Sequence, residues 1–165
     1  MSTLRAALDR LEIHELLARY ARAVDRCDAA LFGEVWTKDA RLDYGQGETD
    51  AASWSEGLIA RLGQMRRTQH MVSNILVSLD GDTATSEAIC LAWHHFEEDG
   101  MPLVMVVGGR YLDRHARTAD GWRIAHRRYV MDWTETQAST LELGQGRFAR
   151  FPVVGARKPD DPSYS

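Results

Sequence analysis

Cysteine is scarce in this chain. There are two in 165 residues, Cys27 and Cys90, far apart and in no CxxC pair. That spacing excludes a disulfide scaffold and a zinc ribbon, and a reducing, cytoplasmic setting is the expectation. Positive charge is not in excess either. Twenty Lys and Arg face 24 Asp and Glu, for a net charge of −4. A chain with that balance lacks the basic footprint of a nucleic-acid binder and the polybasic patch of a membrane-surface protein. Long apolar runs are missing too, since the longest spans residues 103–107, against about 20 residues for a membrane-crossing helix. The first ten residues contain Asp9 and no apolar stretch, so no targeting segment is expected. A glycine-rich phosphate loop, GxSxG, HExxH and EF-hand patterns are all absent. Neither cysteine has a base beside it in sequence, so no committed nucleophile is visible.

What is present is the composition of one globular domain. Hydrophobic residues make up 44%, with five Trp, five Tyr and four Phe that require burial. The first 27 residues predict an amphipathic helix, with Leu4, Leu8, Leu11, Leu16, Tyr20 and Val24 on one side and Glu15 and Arg19 on the charged side. Asp28 is placed to cap a second helix over 29–37, and Ser53 a third over 54–67. A short strand is expected at 40–44. Strands are then expected at 69–79, 83–96, 103–114 and 122–132, separated by turn signals such as Asp80-Gly81 and Asp120-Gly121. Gly108-Gly109 marks a bulge. Helices first and hairpins after predict an α+β fold in which a curved antiparallel (mixed) sheet and three N-terminal helices enclose a pocket. The cone domain is expected over 1–135. Residues 136–165 form an extension whose last eight residues read as a disordered end.

The residues able to carry chemistry are few. Asp25 lies in the last turn of the first helix, where the helix dipole disfavours a carboxylate by roughly 0.3–1 kcal/mol. It either ends the helix beside an arginine such as Arg22 or serves a partner. His70, at the start of the following strand, is either a core histidine bonded to a carbonyl or that partner. An aspartate bonded to one imidazole nitrogen fixes the tautomer and leaves the other as a base. Tyr20 and Tyr44 can donate hydrogen bonds to a carbonyl, an enolate or a departing hydroxyl, or sit as rim residues of the core. His94 and His95 alternate on a strand, as do Arg127 and Arg128, so one of each pair faces inward.

The stretch from Ile13 through Tyr20 to Asp25, then Arg41-Leu42-Asp43-Tyr44, Thr68-Gln69-His70-Met71-Val72, Gly108-Gly109-Arg110-Tyr111 and Asp120-Gly121-Trp122 to Arg127 together resemble the SnoaL-like family of the nuclear transport factor 2-like superfamily. Within it they are most similar to the cofactor-free lyases: scytalone dehydratase, bile acid 7α-dehydratase and hexachlorocyclohexane dehydrochlorinase. The resemblance implies an Asp25–His70 catalytic dyad, Tyr44 and Tyr20 as hydrogen-bond donors, and Arg127 favouring developing negative charge. It also implies His94 beside the substrate, no cofactor and no metal. Val24 departs from the tyrosine that scytalone dehydratase carries before its aspartate. Trp54, Leu58, Leu62, Met65, Trp93, Met105 and Val107 are the candidate pocket wall, chosen by hydrophobicity and placement. The activity expected is a dehydratase-like elimination on a bulky, mostly apolar small molecule. An isomerase or cyclase using the same base, or a binding module without turnover, are the alternatives. A homo-oligomer, trimer or dimer, is implied by the resemblance.

Overall fold

The computed structural model describes residues 3–165. The first helix, α1 (Thr3–Arg26), buries Ile13, Leu16, Leu17, Tyr20, Ala23 and Val24 along one stripe, spaced three and four residues apart as one helical face requires. The stripe begins later than the sequence suggests. Leu4, Leu8 and Leu11 are exposed, and Asp9 is buried in their place. Its carboxylate accepts two hydrogen bonds from Arg117 and one from the Trp122 indole, so the first turns dock by charge and the later ones by apolar contact. The helix ends with Cys27 in the left-handed region (φ 50°). Asp28 N–H returns to the Ala23 carbonyl and Cys27 N–H to that of Val24, the paired bonds of a Schellman stop.

Asp28 caps α2 (Ala29–Glu34), its side chain accepting from Leu31 N–H. That helix stops three residues before the expected end, because Trp36, Ala40 and Leu42 are buried as members of a strand, β1 (Trp36–Asp43). A three-residue strand with no sequence signal, β2 (Glu48–Asp50), pairs with it. Asp50 rather than Ser53 caps α3 (Ala51–Gly63), accepting from Ser53 N–H at 2.9 Å. Four long strands follow: β3 (Arg67–Asp80), β4 (Thr83–Glu98), β5 (Met101–Thr118) and β6 (Gly121–Ala138). The six form one sheet in the order β2-β1-β6-β5-β4-β3. Only β1 and β6 run parallel. The expected α+β architecture, a curved, unclosed mixed sheet with three helices, is what the chain adopts.

Two features shape the sheet at the site. The β5–β6 register shifts between Gly108 and Gly109, where the glycine pair predicts a bulge. A Cβ on Gly109 would lie 2.5 Å from the Tyr129 hydroxyl and from the Val130 carbonyl oxygen, so the tyrosine occupies the space a side chain would need. The second feature is the C-terminal segment. Its last eight residues are not a free end. Lys158 pairs with Asp28, Asp161 with Arg26, and the Arg22 guanidinium donates to Ser163 and lies over the Tyr164 ring. The segment is strapped across the C-terminus of α1.

Candidate active site

The last turn of α1 and the first residues of β3 bring Asp25 and His70 together across 45 positions of sequence. Asp25 Oδ1 lies 2.7 Å from His70 Nδ1, and Oδ2 accepts the His70 backbone N–H at 2.7 Å. One carboxylate thus holds both the ring and the edge-strand backbone. An imidazole that donates Nδ1–H to a carboxylate keeps Nε2 as its unprotonated nitrogen. Among the described residues, Nε2 has no hydrogen-bond partner.

His70 borders a cavity of about 340 Å³ inside the cone. Its wall includes Tyr44, Trp54, Leu58, His94 and Val107, all expected, and Gln46, Arg61, Cys90, Ala92, Tyr111 and Tyr129, which were not. The Tyr44 ring stacks on Trp54 at 4.4 Å and on Tyr129 at 5.2 Å. His94 stands edge-on to His70, with ring centroids 5.2 Å apart. Burial, and then the neighbouring His70, lower the His94 pKa to about 4, so it is a neutral ring at neutral pH. Burial raises the Tyr44 and Tyr111 phenols well above the ordinary value. Both are therefore neutral hydrogen-bond donors.

Tyr20 and Arg127 form the floor beneath the cavity rather than its wall. Tyr20 is buried, with its hydroxyl 3.2 Å from that of Tyr44. Arg127 is fully buried, donates two hydrogen bonds to Asp113 at 2.8 and 2.7 Å, and lies against the rings of Tyr20 and Tyr111. Burial works against its charge, but the Asp113 ion pair holds its pKa well above the ordinary value. The inward arginine of the pair is therefore Arg127. It is not part of the cavity wall and stands behind Tyr20 and Tyr111. Arg128 is exposed and pairs with Asp43.

Other expected wall residues lie elsewhere. Trp93 points to the opposite face of β4, because side chains alternate along a strand and His94, Ala92 and Cys90 take the inner positions. His95 shares the outer face and bonds Ser139. Met105 pairs with His94 across the β4–β5 ladder but is not part of the cavity wall. Leu62 and Met65 pack in the core beneath α3. The missed residues carried a partial signal. Cys90, Ala92 and His94 alternate on one strand, and Tyr111 pairs with Tyr129 across β5 and β6. Among the described residues no three His, Cys, Asp or Glu side chains converge as a metal-binding group.

The SnoaL-like domain description matches residues 5–128. The chain belongs to the SnoaL-like family. An uncharacterised protein of Mycobacterium tuberculosis, Rv2910c, is 38% identical over 122 residues, covering 72% of this chain and 82% of its own length. Among solved structures, the Kfla4162 protein of Kribbella flavida is similar at 30% identity and a TM-score of 0.73, covering 79% of this chain and 95% of its own. A hexachlorocyclohexane dehydrochlorinase, LinA-type3 of Novosphingobium barchaimii, is similar at 16% identity and a TM-score of 0.75, covering 86% and 99%. At that identity the likeness to the dehydrochlorinase is one of fold. No helix among the described residues of this SnoaL-like chain is long and apolar enough to cross a membrane.

Proposed function

We propose that this SnoaL-like protein is a cofactor-independent lyase that eliminates a small fragment, most simply water, from a bulky, mostly apolar molecule. The observation that carries the reading is Asp25 gripping both the ring Nδ1 and the backbone N–H of His70. The SnoaL-like domain and the structural likeness to a dehydrochlorinase support the same class. The substrate's apolar body lies among Tyr44, Trp54, Leu58 and Tyr129. His70 Nε2 removes a proton from the carbon beside a carbonyl, and that electron pair enters the enolate. Asp25 stabilises the resulting imidazolium. Tyr44, backed by Tyr20 and Arg127, donates to the enolate oxygen. The enolate then forms the carbon–carbon double bond as the β-hydroxyl departs, protonated by the imidazolium, as water. His94, neutral, shapes the wall.

The test is a panel of β-hydroxy carbonyls, sterols and aryl alcohols, with products read by mass spectrometry. Loss of water is the expected result. His70→Ala should lower turnover by about 10²–10⁴-fold with an unchanged circular dichroism spectrum. Full activity in that variant overturns the assignment. Products of unchanged mass would make the same base that of an isomerase or cyclase. Ligand binding without turnover, insensitive to His70→Gln, would make the protein a binding module.

We also propose a homo-oligomer, trimer or dimer. On the convex face Leu91, Gly108 and Trp133 align across three strands, the indole lies over Gly108, and Ile89 is exposed beside them. Light scattering after gel filtration should give a mass above one chain, and Trp133→Glu should lower it.

A further inference from the structure

A larger cavity than the one beneath the helices lies outside the cone. A groove of about 960 Å³ runs along the edge of the sheet, between α1, the start of β3 and the C-terminal segment. This volume lies at the upper end of the range for small-molecule sites. Its floor and sides are apolar, with Trp93, Leu141, Leu143 and Val154 among its lining. Its charge is predominantly positive. Four arginines border it, and the single carboxylate among its lining residues, Asp25, has both oxygens committed to His70.

One of the four arginines is paired with a carboxylate and a second is stacked on a ring. Arg26 pairs with Asp161, and Arg22 is held by Ser163 and the Tyr164 ring. Arg67 and Arg157 are not. The Arg67 guanidinium donates only to the carbonyls of Arg66 and Gly155. Arg157 donates to the Cys27 sulfur and the Met65 carbonyl. Both are half-buried, and neither has a carboxylate partner among the described residues. Neutral acceptors fix these guanidiniums in place without cancelling their charge. A preorganised cation beside an apolar wall recognises an anion attached to an apolar body.

We propose that this groove is a second binding site, for an amphipathic carboxylate of the fatty-acid class. The head group is held by Arg67 and Arg157, and the chain lies along Trp93, Leu141 and Leu143. The groove meets the aromatic cavity of the proposed lyase at His70, which borders both, but its head-group and chain contacts lie outside that cavity and do not depend on its chemistry.

The experiment is calorimetric titration of the full chain with dodecanoate, and with dodecanol as the neutral control of equal length. Dodecanoate should bind one per chain, at least tenfold tighter than dodecanol. Arg67→Gln, which still offers a donor to the Gly155 carbonyl, should weaken dodecanoate roughly tenfold and leave dodecanol unchanged. Leu143→Asp should weaken dodecanoate, and Trp54→Ala, in the inner cavity, should not. Equal affinity for acid and alcohol overturns the proposal, as does an unchanged Kd in Arg67→Gln. A loss of binding in Trp54→Ala with none in Leu143→Asp places the chain in the inner cavity and also overturns it. So does the absence of dodecanoate binding. Failure here leaves the lyase reading standing, because no turnover is measured.

Discussion

Arg127 and Asp113 are both fully buried and share two hydrogen bonds. Removing one charge from such a pair leaves the other without water or partner. Asp113→Asn should therefore destabilise the protein by roughly 3–5 kcal/mol, read as a lower urea midpoint at neutral pH. His115 makes a different demand on pH. It is buried, bonds Ser86 through Nε2 at 2.8 Å, and has no partner at Nδ1. Burial lowers its pKa to about 4. The unfolded chain takes up a proton near pH 6.5 and the folded chain resists until about pH 4, so stability present above 6.5 is lost as pH falls between those values. The loss attributable to this ring is of the order of 3 kcal/mol. His115→Asn should flatten that part of the profile, and urea midpoints at pH 7 and pH 4.5 check it. All three residues stand in the sequence, but only the fold shows that each is enclosed.

At the scale of elements, Gly109 carries the clearest prediction. Its missing side chain admits the Tyr129 ring, and the Val130 carbonyl stands at 2.5 Å from the position a Cβ would take. Gly109→Ala should cost about 1–3 kcal/mol and displace Tyr129 from the cavity wall, visible as a changed Tyr129 resonance. The bulge at this position was legible from the glycine pair. Its effect beyond Met131 was not, because the extra residue of β6 lies between Met131 and Trp133 and turns Trp133 to the outer face, whereas Tyr111 and Tyr129 follow the unbroken alternation from Val107 and Arg127. The reading of α1 succeeded from Ile13 onward, where apolar spacing decides, and failed at Leu4, Leu8 and Leu11, where the Asp9–Arg117 pair reverses the helix face. Val35 and Trp36 suit a helix end or a strand start equally, so the α2–β1 boundary could be settled only by pairing with β6. The strap at the C-terminus bonds the last carbonyl of α1, with Lys158 N–H on Arg26 O. Truncation before Arg157 should leave the main thermal transition in place and speed hydrogen exchange at the amides of Arg26, Cys27 and Asp28.

Across the whole molecule, the site was legible in its residue types and only partly in its geometry. Asp25 and His70 were named from separate stretches of sequence, and the packing of α1 against β3 brings them to 2.7 Å. The inner members of the pairs His94–His95 and Arg127–Arg128 required the sheet register. The strap required charge pairs between residues 130 or more positions apart, such as Lys158 and Asp28, which local patterns do not encode.

Burial at the cavity has a further effect on the protein's ultraviolet absorption. All five tyrosines, Tyr20, Tyr44, Tyr111, Tyr129 and Tyr164, have phenols raised above their ordinary value, chiefly by burial, and Tyr129 reaches about 12. A raised phenol favours the folded state below its unfolded pKa near 10, and that advantage disappears as pH climbs toward the folded value. An alkaline titration should therefore show little phenolate absorbance near pH 10 in the native protein. The absorbance should rise late and steeply, together with loss of the circular dichroism signal, whereas the urea-unfolded chain follows an ordinary tyrosine curve. The chain would report the opening of its own aromatic interior without any added dye.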